Sequence, residues 1–338
     1  MTAALNLSRI RLAVQLVMLV ITVYGGVVLG HYLSDKLSNA LPALSCAFDQ
    51  QNGAYCTLIP FQHQMHHRVG EVIARSGQFA MATLVPLGFT FLSFYILFFF
   101  LNKAFCGWIC PLGTLQELLY RLGRVLRRPF HRLHGRGLSR VRPIKWIVLL
   151  GLVFLLPLLA GLGHLPHAAG DAFCQVCPAR IATTLLTGDL NQVTVATTGT
   201  AEFLFSALRA TLFGFIVIAA LSVRQPFCRV CPMLALHALL RRFSPLRLRK
   251  QEESEACGRC DLCARACPMD IPEVAEQSGA KAFHDDCTLC GRCVEFCPHD
   301  DRLQLKFGPW MLFRSSRDYF RRRSRLERPE GGARSESP

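Results

Sequence analysis

Cys257-Gly258-Arg259-Cys260-Asp261-Leu262-Cys263-Ala264-Arg265-Ala266-Cys267-Pro268 is followed by Cys287-Thr288-Leu289-Cys290-Gly291-Arg292-Cys293-Val294-Glu295-Phe296-Cys297-Pro298, the same pattern 30 residues on (287 − 257 = 30). Three thiolates at two-residue spacing wrap one [4Fe-4S] cube, while a fourth, set off by three residues and a proline, reaches the other cube. The spacing therefore predicts one cluster on Cys257, Cys260, Cys263 and Cys297, and a second on Cys287, Cys290, Cys293 and Cys267. Zinc sites and disulfides are the competing uses of cysteine. Zinc motifs rarely double a four-cysteine run, and disulfides have no need of the proline. A two-cluster α+β domain like a bacterial ferredoxin is expected over residues 257–313, with a linker at 245–256 and a basic, disordered tail at 314–338.

Upstream of this domain the chain changes character. The 338 residues are 51% hydrophobic, with a mean hydropathy of +0.29. Four apolar stretches, about 12–30, 79–101, 146–163 and 203–223, approach the ~20 residues that a helix needs to cross a bilayer. The fold class expected is thus membrane α-helical, with a four-helix membrane domain over 1–244 that precedes the ferredoxin-like domain. The first stretch follows Arg9 and Arg11 but has a long apolar run and no evident cleavage site, which favours a retained helix over a signal peptide.

The net charge of +15 raises the question of nucleic acid, and its placement answers it. Residues 103–145 carry ten Lys or Arg against the single acid Glu117, whereas Arg180 is the only Lys or Arg between the third and fourth helices. This is the positive-inside pattern. It predicts a multi-pass protein of the bacterial inner membrane, with the amino terminus, the 103–145 segment and everything after Arg224 in the cytoplasm. Lipid is the expected partner of the basic surplus, and nucleic acid is not, because no reading helix accompanies the charge.

The other eight cysteines come in pairs, one after each apolar stretch: Cys46 and Cys56, Cys106 and Cys110, Cys174 and Cys177, Cys228 and Cys231. The last three pairs run through a proline into a short amphipathic stretch, over 112–126, 179–186 and 233–240, expected to lie on the membrane surface. Alternating helix direction would collect Cys106, Cys110, Cys228 and Cys231 on the inner face, and Cys46, Cys56, Cys174 and Cys177 on the outer face. Four cysteines suffice for one cubane cluster. The inner four are candidates for a cluster, a redox-active dithiol pair or structural thiols; the outer four for a cluster or for disulfides. An outer centre would be separated from the inner one by ~30 Å of hydrocarbon.

Four membrane helices, Cys106-x3-Cys110-Pro111, Cys228-x2-Cys231-Pro232 and a carboxy-terminal ferredoxin module together resemble the NapH-type membrane quinol dehydrogenase subunits, whose core NosR-type proteins share. The resemblance runs over about residues 5–310. It implies electron transfer between the quinone pool and a redox-protein partner through iron-sulfur centres. Two departures stand out: the family's usual motif after the last helix has three residues between the cysteines, where Cys228 and Cys231 have two, and the Cys46/Cys56 and Cys174/Cys177 pairs lie outside its pattern.

Further candidates are polar groups near the apolar stretches. His63, His66 and His67, in an outer loop with Gln62, Gln64 and Met65, suit copper or haem iron, or a proton taken from quinol. His31 and His164, at the outer ends of the first and third stretches, are candidate quinone-pocket residues, as is Arg209 inside the fourth, where a charge needs a partner or water. Arg209 can pair with Glu202, line the outer cysteine site or snorkel outward. No nucleotide-binding glycine pattern or phosphate loop is present. The function expected is electron transfer between quinol and a protein partner, as a possible quinol dehydrogenase subunit; the alternative is a maturation factor that reduces a metal or a disulfide for another enzyme.

Overall fold

A computed structural model describes residues 7–29, 46–49, 53–78, 81–129, 131–133, 135–197, 199–251, 260–279 and 281–326. His31 and Cys257 lie outside the described residues. The chain divides into two compact units, Val14–Ser244 and a second formed by Met1–Ala13 with Pro245–Pro338.

In the larger unit, helices at Leu7–Tyr24, Met81–Phe98, Gly135–Gly161 and Thr200–Ser222 are long and apolar enough to cross a membrane, the first of them beginning in the other unit. The third is longer than its sequence hydropathy suggests, because the basic stretch before Trp146 is already helical from Gly135. Their outward residues are large and apolar: Phe89, Ile96, Ile147, Leu150, Phe215 and Ile218 are all more than half exposed. The interior holds amides and hydroxyls instead, among them Gln15, Thr22, Gln62, Thr90, Gln116 and Thr183. A lipid surrounding would account for this inversion. It covers apolar side chains at no cost and leaves polar groups to find partners inside.

Between the long helices lie shorter ones that sequence periodicity placed on the membrane surface. The Pro111–Val125 helix buries Thr114, Gln116, Glu117 and Tyr120 and turns Leu122 and Val125 outward, so its polar face is the packed one. It packs against Thr200–Ser222, where Gly123 sits so close to the Leu221 backbone that a Cβ would overlap the carbonyl. Residues 59–76, expected as a wet outer loop, form a corresponding helix, with a π-helical stretch at Gln64–Gly70. It packs against the end of the third long helix through Gly70, where a Cβ would lie 2.8 Å from the Gly161 Cα. Preceding it, strands β1 (Cys46–Asp49) and β2 (Gly53–Cys56) pair antiparallel, with Cys46 opposite Cys56.

The second unit holds an antiparallel sheet in the order β3 (Leu246–Lys250), β4 (Leu303–Phe307), β5 (Trp310–Arg314). The expected linker therefore contains a strand: alternation of Leu246 and Leu248 with Arg247 and Arg249 is a half-buried strand pattern. Buried Lys250 ties this strand to the neighbouring loop by donating to the carbonyls of Ala275 (2.9 Å) and Gln277 (2.7 Å). The expected disordered tail likewise begins with a helix, Arg317–Leu326, whose Arg317 N–H is accepted by Asp300 at 2.9 Å. Residues 7–13, expected in the membrane domain, group here because buried Glu295 accepts from the Ser8 hydroxyl, from Ser8 N–H (3.2 Å) and from the Tyr319 hydroxyl (3.2 Å).

Candidate metal centres

The ferredoxin-like unit repeats a local device. Asp261 and Gly291, each directly after the second cysteine of its run, have positive φ (45° and 73°) and start the short helices Leu262–Ala266 and Arg292–Glu295. Those helices pack together and bring Cys263 into electrostatic reach of Cys293. Cys267, Cys287, Cys290 and Cys293 line one cavity, whose remaining walls are apolar and include Leu248, Met269 and Phe283. Burial raises the Cys267 thiol to about 12, and the thiols of Cys290 and Cys287 add to it. Of the other quartet, Cys260, Cys263 and Cys297 are described.

A Cys-Pro step recurs in both units, and its geometry explains the proline. A residue before proline is pushed out of the α region. Cys110, Cys177 and Cys231 accordingly have ψ of 119°, 125° and 127°, and a proline opens the helix after each. Each sulfur then accepts from backbone N–H groups at a helix start: those of Gly113 and Leu112 for Cys110, Ala179 for Cys177, and Met233 and Leu234 for Cys231. The Cys267 sulfur likewise accepts from backbone N–H groups, those of Ile271 and Met269, in the turn that follows Pro268.

The membrane cysteines converge. Burial first, then the thiols of Cys110, Cys231 and Cys228, push Cys106 well up, so these four form one set. Burial and the thiols of Cys56, Cys174 and Cys231 do the same to Cys177. Cys56 also raises Cys110 and Cys231. The Thr57 hydroxyl, next to Cys56, lies 3.2 Å from the Met233 sulfur, two residues past Cys231. The expected separation of ~30 Å between the sets does not hold for the described thiols: Cys56 and Cys177 lie within electrostatic reach of Cys231, and Cys56 of Cys110. The segments between long helices fold back into the unit, which hydropathy read as loops cannot reveal.

A second repeat holds these sets in place. The Gln62 side-chain oxygen accepts from Phe173 N–H at 2.9 Å, and that of Gln116 from Phe227 N–H at 3.0 Å. Both pairs span 111 residues, and the offset between them is constant (116 − 62 = 54; 227 − 173 = 54). Phe173 and Phe227 immediately precede Cys174 and Cys228. The Gln116 amide also lies 3.6 Å from the Cys228 sulfur. Gln15, on the first long helix, donates to the Gly107 carbonyl at 3.0 Å, inside the Cys106 motif. Gln15 and Gln116 were not singled out from sequence, and Gln62 was named there only beside the histidines; the shared 54-residue offset of Gln62 and Gln116 was the available signal.

The remaining candidates are placed as follows. Arg209 is buried and donates to the Gln175 carbonyl at 3.3 Å, between Cys174 and Cys177, so it lines that cysteine site and does not snorkel outward. His164 is exposed beyond the third long helix. The His66 and His67 rings lie 4.1 Å apart between centroids, tilted by 31°, and His63 is 5.7 Å from His67. His167, which the sequence reading passed over, lies 4.8 Å from His66. His237, also passed over, is buried among Phe94, Phe98 and Phe105; burial and the charge of Lys103 lower its pKa to about 3.

The four candidate spans and the cysteine-lined sites define a class: ferredoxin-type iron-sulfur electron-transport proteins with membrane helices. The match to a "4Fe-4S binding domain" family covers residues 82–129 and 205–251, and the match to a "4Fe-4S dicluster domain" family covers residues 249–305. The chain is 27% identical over 303 residues to the putative electron transport protein YccM of Escherichia coli K12, covering 87% of this chain and 74% of that one. It is 26% identical over 210 residues to the ferredoxin-type protein NapH of the same organism, covering 59% of this chain and 60% of NapH. To the regulatory protein NosR of Pseudomonas aeruginosa it is 32% identical over 202 residues, 58% of this chain but 24% of NosR. The resemblance to NapH- and NosR-type proteins read from the motifs recurs in these comparisons: the chain is similar to ferredoxin-type and electron-transport proteins and carries regions that match 4Fe-4S binding families. No solved structure matches it.

Proposed function

We propose that the chain carries electrons between membrane quinone and a redox-protein partner, using four cluster sites: two in the ferredoxin-like unit and two side by side in the membrane unit. The residues that would hold them are Cys257, Cys260, Cys263 and Cys297; Cys287, Cys290, Cys293 and Cys267; Cys106, Cys110, Cys228 and Cys231; and Cys46, Cys56, Cys174 and Cys177. The observation that carries this reading is the approach of the two membrane sets to one another.

The donor sets suit iron. Thiols buried deeply enough to resist ionisation need a bound cation to deprotonate them, and four soft sulfurs per site match a cubane cluster. Such clusters supply one-electron storage when bound. The chain's own contribution is tuning and spacing: N–H groups on the Cys-Pro sulfurs, the Gln116 amide near Cys228, and exclusion of water by burial. Neighbouring sites in the membrane unit remove the ~30 Å gap that argued against a role for the Cys174 and Cys177 set. Charge placement supports a cytoplasmic ferredoxin-like unit, and the four apolar helices give access to lipid-dissolved quinone.

The test is an anaerobic quinol titration of the whole protein, followed by electron paramagnetic resonance. Quinol-dependent reduction that is lost in Cys110→Ser and Cys231→Ser variants with intact ferredoxin signals supports the reading. Reduction by quinol that those variants leave unchanged overturns the membrane sites' role.

A further inference from the structure

We infer that His66, His67 and His167 form a binding site for a single divalent transition-metal ion, separate from the cysteine sites. One ring nitrogen from each of the three lies within 4.8 Å of the others. The histidines come from distant parts of the chain: His66 and His67 from the π-helical stretch Gln64–Gly70, and His167 from the 3₁₀ turn His167–Asp171. A π-helical turn changes which side chains share a face, and such turns concentrate at functional sites.

The surroundings are built for this arrangement. Gly170 lies against the His66 ring, where any Cβ would overlap it, and Gly161 lies against the His66 carbonyl in the same manner. Glu71 takes His67 Nδ1 at 2.6 Å and stands 4.0 Å from His66 Nε2. A carboxylate on one nitrogen of an imidazole is the usual means of orienting a metal-binding histidine. Imidazoles suit zinc, copper and nickel. Three protein ligands leave a fourth position open, and His67 and His167 are not buried. That is the pattern of an exchangeable or substrate-accessible ion and not of a closed structural one. The site does not depend on the proposed cluster assignments, because it shares no residue with them.

The experiment uses the full-length, anaerobically purified, untagged protein, dialysed against Zn²⁺ and washed, with zinc counted and examined by X-ray absorption at the zinc edge. About one zinc per chain is expected, with imidazole scattering at about 2.0–2.1 Å. His167→Ala, an exposed position, and Gly170→Ala should both abolish retention while iron content stays unchanged. Glu71→Gln should weaken it about 10- to 100-fold. Zinc that is not retained, or zinc with sulfur scattering that His167→Ala leaves untouched, overturns the proposal.

Discussion

Replacing Gln116 with methionine keeps the side chain's length and removes its polar end. Gln116 is 1% exposed, and its oxygen is the partner of Phe227 N–H at 3.0 Å. The substitution leaves that buried donor unsatisfied, at a cost of about 1–3 kcal/mol. It also removes the amide at 3.6 Å from the Cys228 sulfur. Since Phe227 directly precedes Cys228, local opening of the Cys106, Cys110, Cys228 and Cys231 set should become about 5- to 150-fold more frequent, the equivalent of that free energy. The assay is iron release to a chelator under anaerobic conditions, resolved by site through electron paramagnetic resonance. Gln116→Met should speed release from this set and leave the ferredoxin-like unit unaffected. Gln62→Met, which orphans Phe173 N–H, should do the same for the Cys46, Cys56, Cys174 and Cys177 set. Unchanged release in both variants, or equal acceleration at all sites, would refute the idea that these two glutamines hold the cysteine loops.

Other outcomes follow from the packing. Gly123→Leu forces a side chain into the Leu221 backbone and should cost at least about 1–3 kcal/mol, seen as a lower melting temperature in detergent. Gly214→Leu, with open space around its Cα, should leave that temperature nearly unchanged. Glu295→Leu strands Ser8 and Tyr319 donors and should destabilise the ferredoxin-like unit by about 1.5–3 kcal/mol, read from thermal bleaching of its visible absorbance. Cys267→Ser and Cys290→Ser should alter the same cluster signal, because both residues line one cavity; changes in different signals would contradict that grouping.

Much of this molecule is written in short spacings. The doubled cysteine run, the four apolar stretches and the Cys-Pro pairs each state a local rule, and local rules survive folding. What escaped was the direction in which segments turn. The leucine spacing over 112–126 predicts a helix lying on the membrane surface, yet in the folded chain its polar residues Thr114, Gln116 and Glu117 form the packed face, as a lipid setting would require. Residues 59–76 read as loop because a π-helical stretch breaks the 3.6-residue period there. Pairing by faces followed from treating every connection as a simple hairpin, and the contact between Thr57 and Met233 shows that the connections fold inward. His167 was overlooked because its partners lie about a hundred residues earlier in the chain (167 − 66 = 101) and only folding brings them together.

The central claim is that the membrane unit binds clusters at both neighbouring cysteine sets. Iron and acid-labile sulfide per full-length chain, measured anaerobically, test it most directly. Four cubane sites predict about sixteen irons, falling to about eight when Cys110, Cys231, Cys56 and Cys177 are all replaced by serine. About eight irons in the unaltered protein, unchanged by those replacements, would contradict the claim.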